Sequence, residues 1–564
     1  MSQNMLEMLG AIRKPNQWRC FHLLFAGLAA LSVASWANAD IDSVTYSEHI
    51  APILKKNCVE CHRPGLGAPF DFRTFEEVAR RGRLIAHVTE SGFMPPWKPE
   101  RGYERLRNER GLDEAEKALI REWVAQGMAE GDPALAPTLP PMPESGWRLG
   151  EPDIVVEMEE AFNIPADGPD IYRNFVVPLP DFPEGTWVRG IEFRPGAPSV
   201  VHHALLGLDY NGRGRWLDAQ DPGPGFIGMD QAFEDTRIAT YAVGSLPYFL
   251  PEGVAYEIEP GADLILEVHY HPSGKAEVDQ SKVGFYLTKE PPTRRMTPLQ
   301  IPPSFGITTA LDIPPGVSDY TLNHRYTISH DVDVILIFPH AHYICKEIKG
   351  VATRPDGSET TLIWIKDWDF AWQEQYLFED PPRLPAGTVI DITWIYDNSA
   401  DNPSNPSNPP RRVTWGEGST DEMASLGITV IPVNQDEFEP LLDAHYAYQK
   451  KELRDVPLDF LQPIIIAELL RRFDKNGDGA IGLFELPKVL EYWSQQSQMN
   501  RGHRSWELQQ IIVHRAVTPY IEEIYHKVVR VGSMAGITGA IGIVLLFVFF
   551  LRRRVIKRRR KAAA

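Results

Sequence analysis

Three residue patterns in this chain of 564 residues could do chemistry. Cys58-Val59-Glu60-Cys61-His62 is the most specific. In an exported protein, two cysteines at this spacing followed directly by histidine read as covalent attachment of a c-type haem, with His62 as proximal iron ligand. A structural disulfide and half a zinc site compete, but the second Cys/His pair that zinc needs does not follow. Met94, on the proline-stiffened stretch Phe93-Met94-Pro95-Pro96-Trp97, is the candidate sixth ligand, with His87 and Met128 as rivals and plain packing as the alternative.

The second pattern is histidine on apolar runs. Pro339-His340-Ala341-His342 closes the run Val334 to Phe338, which reads as a buried strand, where residues two apart share a face. His202-His203 lie within Val200 to Leu206; neighbours in a regular strand face opposite ways, so both reach one metal only if the backbone bulges or ends there. Leu264 to His271 is another apolar strand ending in His-x-His, and Trp415 to Met423 follows a polar Asn/Pro loop, 401–410. Singly, each also reads as a packed histidine, a turn or a core methionine.

The third pattern is Asp474 to Glu485, which places oxygens at Asp474, Asn476, Asp478 and Glu485, the Ala480 carbonyl between them, and Gly479 at the sharp turn. These are the demanding positions of an EF-hand loop, flanked by apolar Leu469, Leu470 and Phe473 and by Leu486, Val489 and Leu490. No second loop is visible in the sequence, so a structural calcium staple is expected rather than a sensor.

Taken together and in order, the His-His pair, the Glu-Val-His-Tyr-His stretch, the His-x-His strand and the Asp-Glu-Met near the end resemble the copper type II, ascorbate-dependent monooxygenases, the peptidylglycine and dopamine β-hydroxylating family. The resemblance implies one copper on His202, His203 and His269, and a second, where oxygen reacts, on His340, His342 and Met423. A soft thioether favours Cu(I), the form that meets O2, while imidazoles suit both oxidation states. His271 is left over, as an outer partner or an alternative ligand. The sequence departs from the family at two places. Phe338 stands two residues before the His-x-His, where peptide-amidating members carry Arg, and Gly427 stands four after Met423, where they carry Tyr. The substrate is therefore expected to be neutral or apolar rather than a C-terminal glycine peptide. The disulfides of the animal enzymes are missing too; Cys345 is the single cysteine of this region.

These sites require several elements to hold them. Expected are a signal peptide over 1–39, a helical cytochrome c domain over 40–133, resembling the class I type, and a Pro-rich linker over 134–150. Two antiparallel, jelly-roll-like β-sandwiches follow over 151–290 and 291–433, because short β-rich runs alternate there with Pro, Gly and Asp turns. A helical stalk carrying the EF-hand covers 434–530, an apolar transmembrane helix 531–551 and a basic tail 552–564. In the first domain Ser47 is the expected cap of a helix carrying Ile50, Ile53 and Leu54, and Asp113 with Glu116 the capping box of another, with Gly127 as its stop. The basic tail keeps the C-terminus in the cytoplasm, so the body is expected in the periplasm of a bacterial inner membrane, tethered by one span.

With 43% hydrophobic residues the chain can fill ordinary cores, and a net charge of −19 speaks against nucleic acid as a partner. The expected activity is copper-dependent hydroxylation of a small-molecule C–H bond with O2. Two coppers, haem c and calcium are the expected cofactors, and a respiratory donor the electron source. The fused haem is expected to reduce the copper at His202, His203 and His269, making ascorbate dispensable. The competing reading is a non-catalytic haem and copper electron carrier or copper-binding envelope protein; a weaker one is a cytochrome-linked oxidoreductase whose β-domains only bind a partner.

Overall fold

The computed structural model describes residues 43–63, 68, 70–139, 146–227, 236–474, 477–481, 485–489, 491–492, 504, 507–508, 510–512, 515–517 and 520. The expected signal peptide, transmembrane helix, basic tail and Asn476 lie outside the described residues. Among the described residues no helix is long and apolar enough to cross a membrane. The chain forms two compact units: one of residues up to Val59 with Phe72–Ser91 and Leu112–Leu139, the other of Glu60–Asp71, Gly92–Gly111 and the chain from Pro140 onward. The stretch expected as one cytochrome domain is thus shared between them, with the boundary inside the Cys58–His62 motif.

The first unit is helical. Glu114–Ala125 opens on the expected capping box: Asp113 Oδ1 accepts from Glu116 N at 2.8 Å, and Glu116 Oε2 accepts from Asp113 N at 3.0 Å. Gly127, at φ +94, lets the chain leave the helix, as its position predicts. Ser47 is not a cap. It is buried inside a wide turn, Tyr46–Ile50, whose leading amides Tyr46 N and Ser47 N donate to Ala129 O and Glu130 O at 2.9 Å each. Backbone partners from a distant segment satisfy the donors that a side-chain cap would otherwise serve. Ile50, Leu54, Ile120 and Trp123 are buried as the periodicity requires.

The second unit mixes short helices with antiparallel sheets. The strands up to Lys282–Thr288 form a five-stranded sheet, in the order Phe226–Ile227, Ile171–Pro178, Asp263–Tyr270, Val201–Asp209, Arg237–Ala242, and a three-stranded one, in the order Ile154–Glu157, Lys282–Thr288, Trp187–Arg194. Phe175, Leu206, Leu266 and Val268 of the former share one core with Val156, Val188, Val283 and Phe285 of the latter. From Thr297 onward a second set pairs within itself. It comprises a five-stranded sheet built on Thr297–Ile301, Ser425–Pro432 and Val332–His340, and a four-stranded one in the order Tyr320–Thr327, Val389–Tyr396, Cys345–Thr353, Glu359–Ile365.

The region expected as a stalk is in part a wall of this second body. Helices Phe438–Asp455 and Leu458–Phe473 bury Leu441, Leu453, Val456 and Leu461 in the core that holds Leu299, Ile337, Ile348 and Trp394. Each such leucine contributes about 1.5–3 kcal/mol by leaving water, so this part of the chain is anchored along its length. The segment Gly92–Gly111 is likewise attached here: Pro99 bridges to Ile365, Leu106 to Phe378, and Glu100 N donates to Trp364 O at 2.7 Å.

Candidate metal centre

Register builds the first histidine set. In the central strand Asp263–Tyr270, Leu264, Leu266, Val268 and Tyr270 point into the core, which leaves His269 on the opposite face. His269 pairs directly with His203 on one neighbouring strand and with Tyr172 on the other, so the three rings stand side by side. The ladder shifts register between Val201 and His203. That irregularity meets the requirement set by two adjacent histidines, and it brings His202 to the same place.

His269 Nδ1 lies 3.2 Å from His202 Nδ1 and 3.0 Å from His203 Nε2, and the ligand atoms of all three fall within 4.8 Å of one another. Burial pushes the His202 ring down to about 3, and burial with its histidine neighbours takes His203 well below the ordinary value. The rings are therefore neutral, the form that ligates a metal. Three converging lone-pair donors without room for protons fit a transition metal that accepts imidazole.

Carboxylate and aromatic partners back this set. His269 Nε2 lies 3.0 Å from Asp170 Oδ2. Asp170 Oδ1 takes His271 Nδ1 at 2.7 Å, and the Ser419 hydroxyl donates to Asp170 Oδ2. Burial alone would raise the Asp170 carboxyl, yet His269, Ser419 and His271 together hold it far below the usual carboxylate range. Tyr172 stacks on His269, centroids 4.3 Å apart at 14°. His271, left unassigned by the sequence, is exposed and faces Asp170 rather than the other histidines.

The second set is assembled differently. Strand Val332–His340 ends at His340, so His342 stands beyond it and the expected shared strand face does not apply. The two rings still meet edge to face, 5.3 Å apart at 90°, and Met423 Sδ lies 3.3 Å from His340 Nε2. Buried Glu422 holds this turn. Its carboxylate accepts from His342 N at 2.8 Å, Ile344 N at 2.9 Å and Met423 N at 3.1 Å, while burial, opposed by these amides, pushes it up to about 8. His342 Nδ1 faces Asp421 O at 3.1 Å, which leaves Nε2 for a ligand role. Burial lowers His340 to about 4 and His342 to about 3. Two neutral imidazoles and a thioether form a softer donor set than the first, suited to a metal cycling through a reduced state.

Phe370 lies between the sets, stacked on His202 (5.0 Å, 27°) and edge-on to His342 (5.7 Å, 80°). His203, His340, His342, Met423, Phe305 and Phe338 help line one cavity of about 40 Å3, whose wall carries no Lys or Arg among the described residues. Sequence reasoning named the ligand candidates but gave no role to Asp170, Tyr172, Phe370, Ser419 or Glu422. Only Glu422 had a visible signal, as part of the Asp-Glu-Met triplet.

The haem motif fits its group in local chemistry. Cys58 and Cys61 are partly exposed and not joined as a disulfide. His62 is buried, with Nδ1 3.2 Å from Phe70 O, a contact that orients the ring. Met94 is partly buried on the segment attached to the second unit, whereas His87 is exposed on helix Gly82–Glu90. Arg110, at the end of Met94's segment, is buried between Glu374, Pro96 O and Gly244 O.

In the calcium loop, Asp474 Oδ1 accepts from Gly477 N at 2.8 Å and Oδ2 from Gly479 N at 2.9 Å, and Gly479 takes φ +77 at the turn. Asp478 Oδ1 accepts from Ala480 N at 2.9 Å, and Glu485 is buried at the far end. Oxygen-rich and tightly turned, the described part of the loop fits Ca2+.

No protein-family model and no curated protein matches the chain. Among solved structures, a cryo-EM structure of Broad Bean Stain Virus aligns at 10% identity, covering 47% of this chain and 77% of that one with a TM-score of 0.20. A structure of infectious bursal disease virus Gx strain aligns at 8% identity over 50% of this chain and 76% of that one, with a TM-score of 0.12. At these scores neither likeness carries an argument about fold or function.

Proposed function

We propose that this chain is a copper-dependent monooxygenase that hydroxylates a small neutral substrate with O2, with electrons supplied through a covalent c-type haem. The observation that carries the reading is the pairing of two unlike donor sets, three imidazoles against two imidazoles and a thioether, on either side of Phe370, with His203, His340, His342 and Met423 lining one cavity. On this reading the two sheet bodies are the jelly-roll-like sandwiches of the copper type II monooxygenases.

Copper bound in the two sets would supply one-electron steps that reduce O2 and convert a substrate C–H bond to an alcohol, with water as the second product. The chain's own contributions are positional. Sheet register holds His202, His203 and His269; Glu422 and Asp421 hold His342; the apolar wall of Phe305, Phe338 and Phe370 limits water at the reacting centre. The wall carries Glu417 but no Lys or Arg among the described residues, so it holds no cation to pair with a substrate carboxylate. Cys58, Cys61 and His62 would hold the haem, which would supply electrons one at a time. The reading takes the chain as an exported body on a C-terminal membrane anchor, with calcium bracing the helical region before it.

Oxygen uptake and product analysis on the copper-loaded, haem-containing chain, offered a panel of small neutral substrates under 18O2, test the proposal. Incorporation of one labelled oxygen into an alcohol is expected, and Met423→Leu should abolish it. Copper that cycles without oxygen incorporation in any substrate would move the chain to the electron-carrier class.

A further inference from the structure

Outside the ligands themselves, the densest polar constellation in the second unit is centred on Asp170. This residue immediately precedes strand Ile171–Pro178, and its carboxylate is shared by three partners of different origin. His269 Nε2 lies 3.0 Å from Oδ2 and His271 Nδ1 2.7 Å from Oδ1, both from the end of the strand Asp263–Tyr270. The third partner is the hydroxyl of Ser419, 249 residues away in sequence, which donates to Oδ2. Tyr172, two residues on, stacks on His269 and places its hydroxyl 3.4 Å from the same Ser419 Oγ.

Ser419 sits on the loop that leads into Met423. That loop also supplies the Asp421 carbonyl facing His342 Nδ1 at 3.1 Å, and the Glu422 carboxylate bound to His342 N. A continuous chain of contacts therefore runs from His269 through Asp170 and Ser419 along five residues of backbone to His342 and Met423. A ring offering Nδ1 to a metal must be held by its Nε2 edge, and Asp170 is the charged group at that edge.

We propose that Asp170 is the positioning residue of the three-histidine site, and that its clasp with Ser419 couples that site to the His340, His342 and Met423 site. The proposal rests on the copper reading and extends it. The carboxylate orients His269 so that Nδ1 faces His202 and His203. The clasp fixes the approach of the Gly416 to Asp421 loop, so that a change of ring position at one site is felt at the other.

The test uses the full chain with its haem, titrated with Cu(I) against a chromogenic chelator and, separately, loaded with Cu(II) for EPR. His202→Ala and Met423→Leu serve as references that assign each signal to a site. Asp170→Asn keeps the shape and removes the charge; it should weaken copper at the three-histidine site by about 10–100-fold and change the hyperfine splitting of that signal. Ser419→Ala should weaken copper at the three-histidine site less than Asp170→Asn does and shift the EPR signal of the other site, and Ser419→Thr, which retains the hydroxyl, should restore both. Metal-free melting curves matching the wild type would show that the variants are folded. Wild-type affinity and spectra in both Asp170→Asn and Ser419→Ala would overturn the proposal while the copper reading stands. A wild-type chain that takes up no copper would overturn both.

Discussion

The two histidine sets show two ways of holding ligands. His203 and His269 face each other across adjacent strands, and a ladder irregularity brings in His202, so sheet register sets where the three histidines stand. His340 closes a strand, but His342 and Met423 stand outside regular structure, and their places depend on the buried carboxylate of Glu422. The fold around a site made by register should survive the loss of one side chain. The fold around a site held by a single buried acceptor should not.

The sharpest way to break this comparison is Glu422→Ala. Three buried amides would lose their acceptor at about 1–3 kcal/mol each, so the metal-free chain should melt far below the wild type. Copper at His340, His342 and Met423 should vanish while the three-histidine copper persists. A melting curve close to wild type would mean that backbone and solvent hold the turn without Glu422. His203→Ala is the counterpart: it should remove its own copper but cost little stability, because the ladder pairing around it is backbone to backbone. A collapse of the whole fold in this variant would contradict the register argument.

Met423→Leu separates packing from ligation. A near-isosteric swap costs under about 1.5 kcal/mol, so fold, haem spectrum and three-histidine copper should remain while oxygen-dependent hydroxylation is lost. Hydroxylation retained in Met423→Leu would reduce Met423 to a core residue. The smallest effect is expected at the calcium loop. Glu485→Ala should lower the melting temperature only when calcium is present, since a ligand that binds the folded state stabilises by mass action. Identical curves with calcium and with chelator in the wild type would end the calcium reading.

These differences also explain what was legible in the sequence. Adjacent histidines in an apolar run carry their own geometric demand, so the irregularity at His202-His203 could be foreseen. The strand Asp263–Tyr270 announced itself by the apolar residues Leu264, Ile265, Leu266 and Val268. The same logic extended the strand at Pro339 one turn too far, because nothing local says that the ladder stops at His340. Asp170 and Glu422 were illegible as partners, since the groups they serve lie 99 residues on at His269 and 80 residues back at His342. Local pattern assigned Ser47 a cap that the Ala129 and Glu130 carbonyls make unnecessary. It also read Phe93 to Trp97 as part of a self-contained haem domain, although its segment is stitched to Ile365 and Phe378. Long-range backbone pairing is invisible to periodicity.

The account's central claim is that two unlike copper sites share one body with a haem. Metal analysis and Cu(II) EPR of the purified, oxidised full chain test it most directly. The prediction is about two coppers per haem iron by the two donor sets, with two distinguishable signals, one lost in His202→Ala and the other in Met423→Leu. Zinc in both sets, or no transition metal beyond iron, would contradict it.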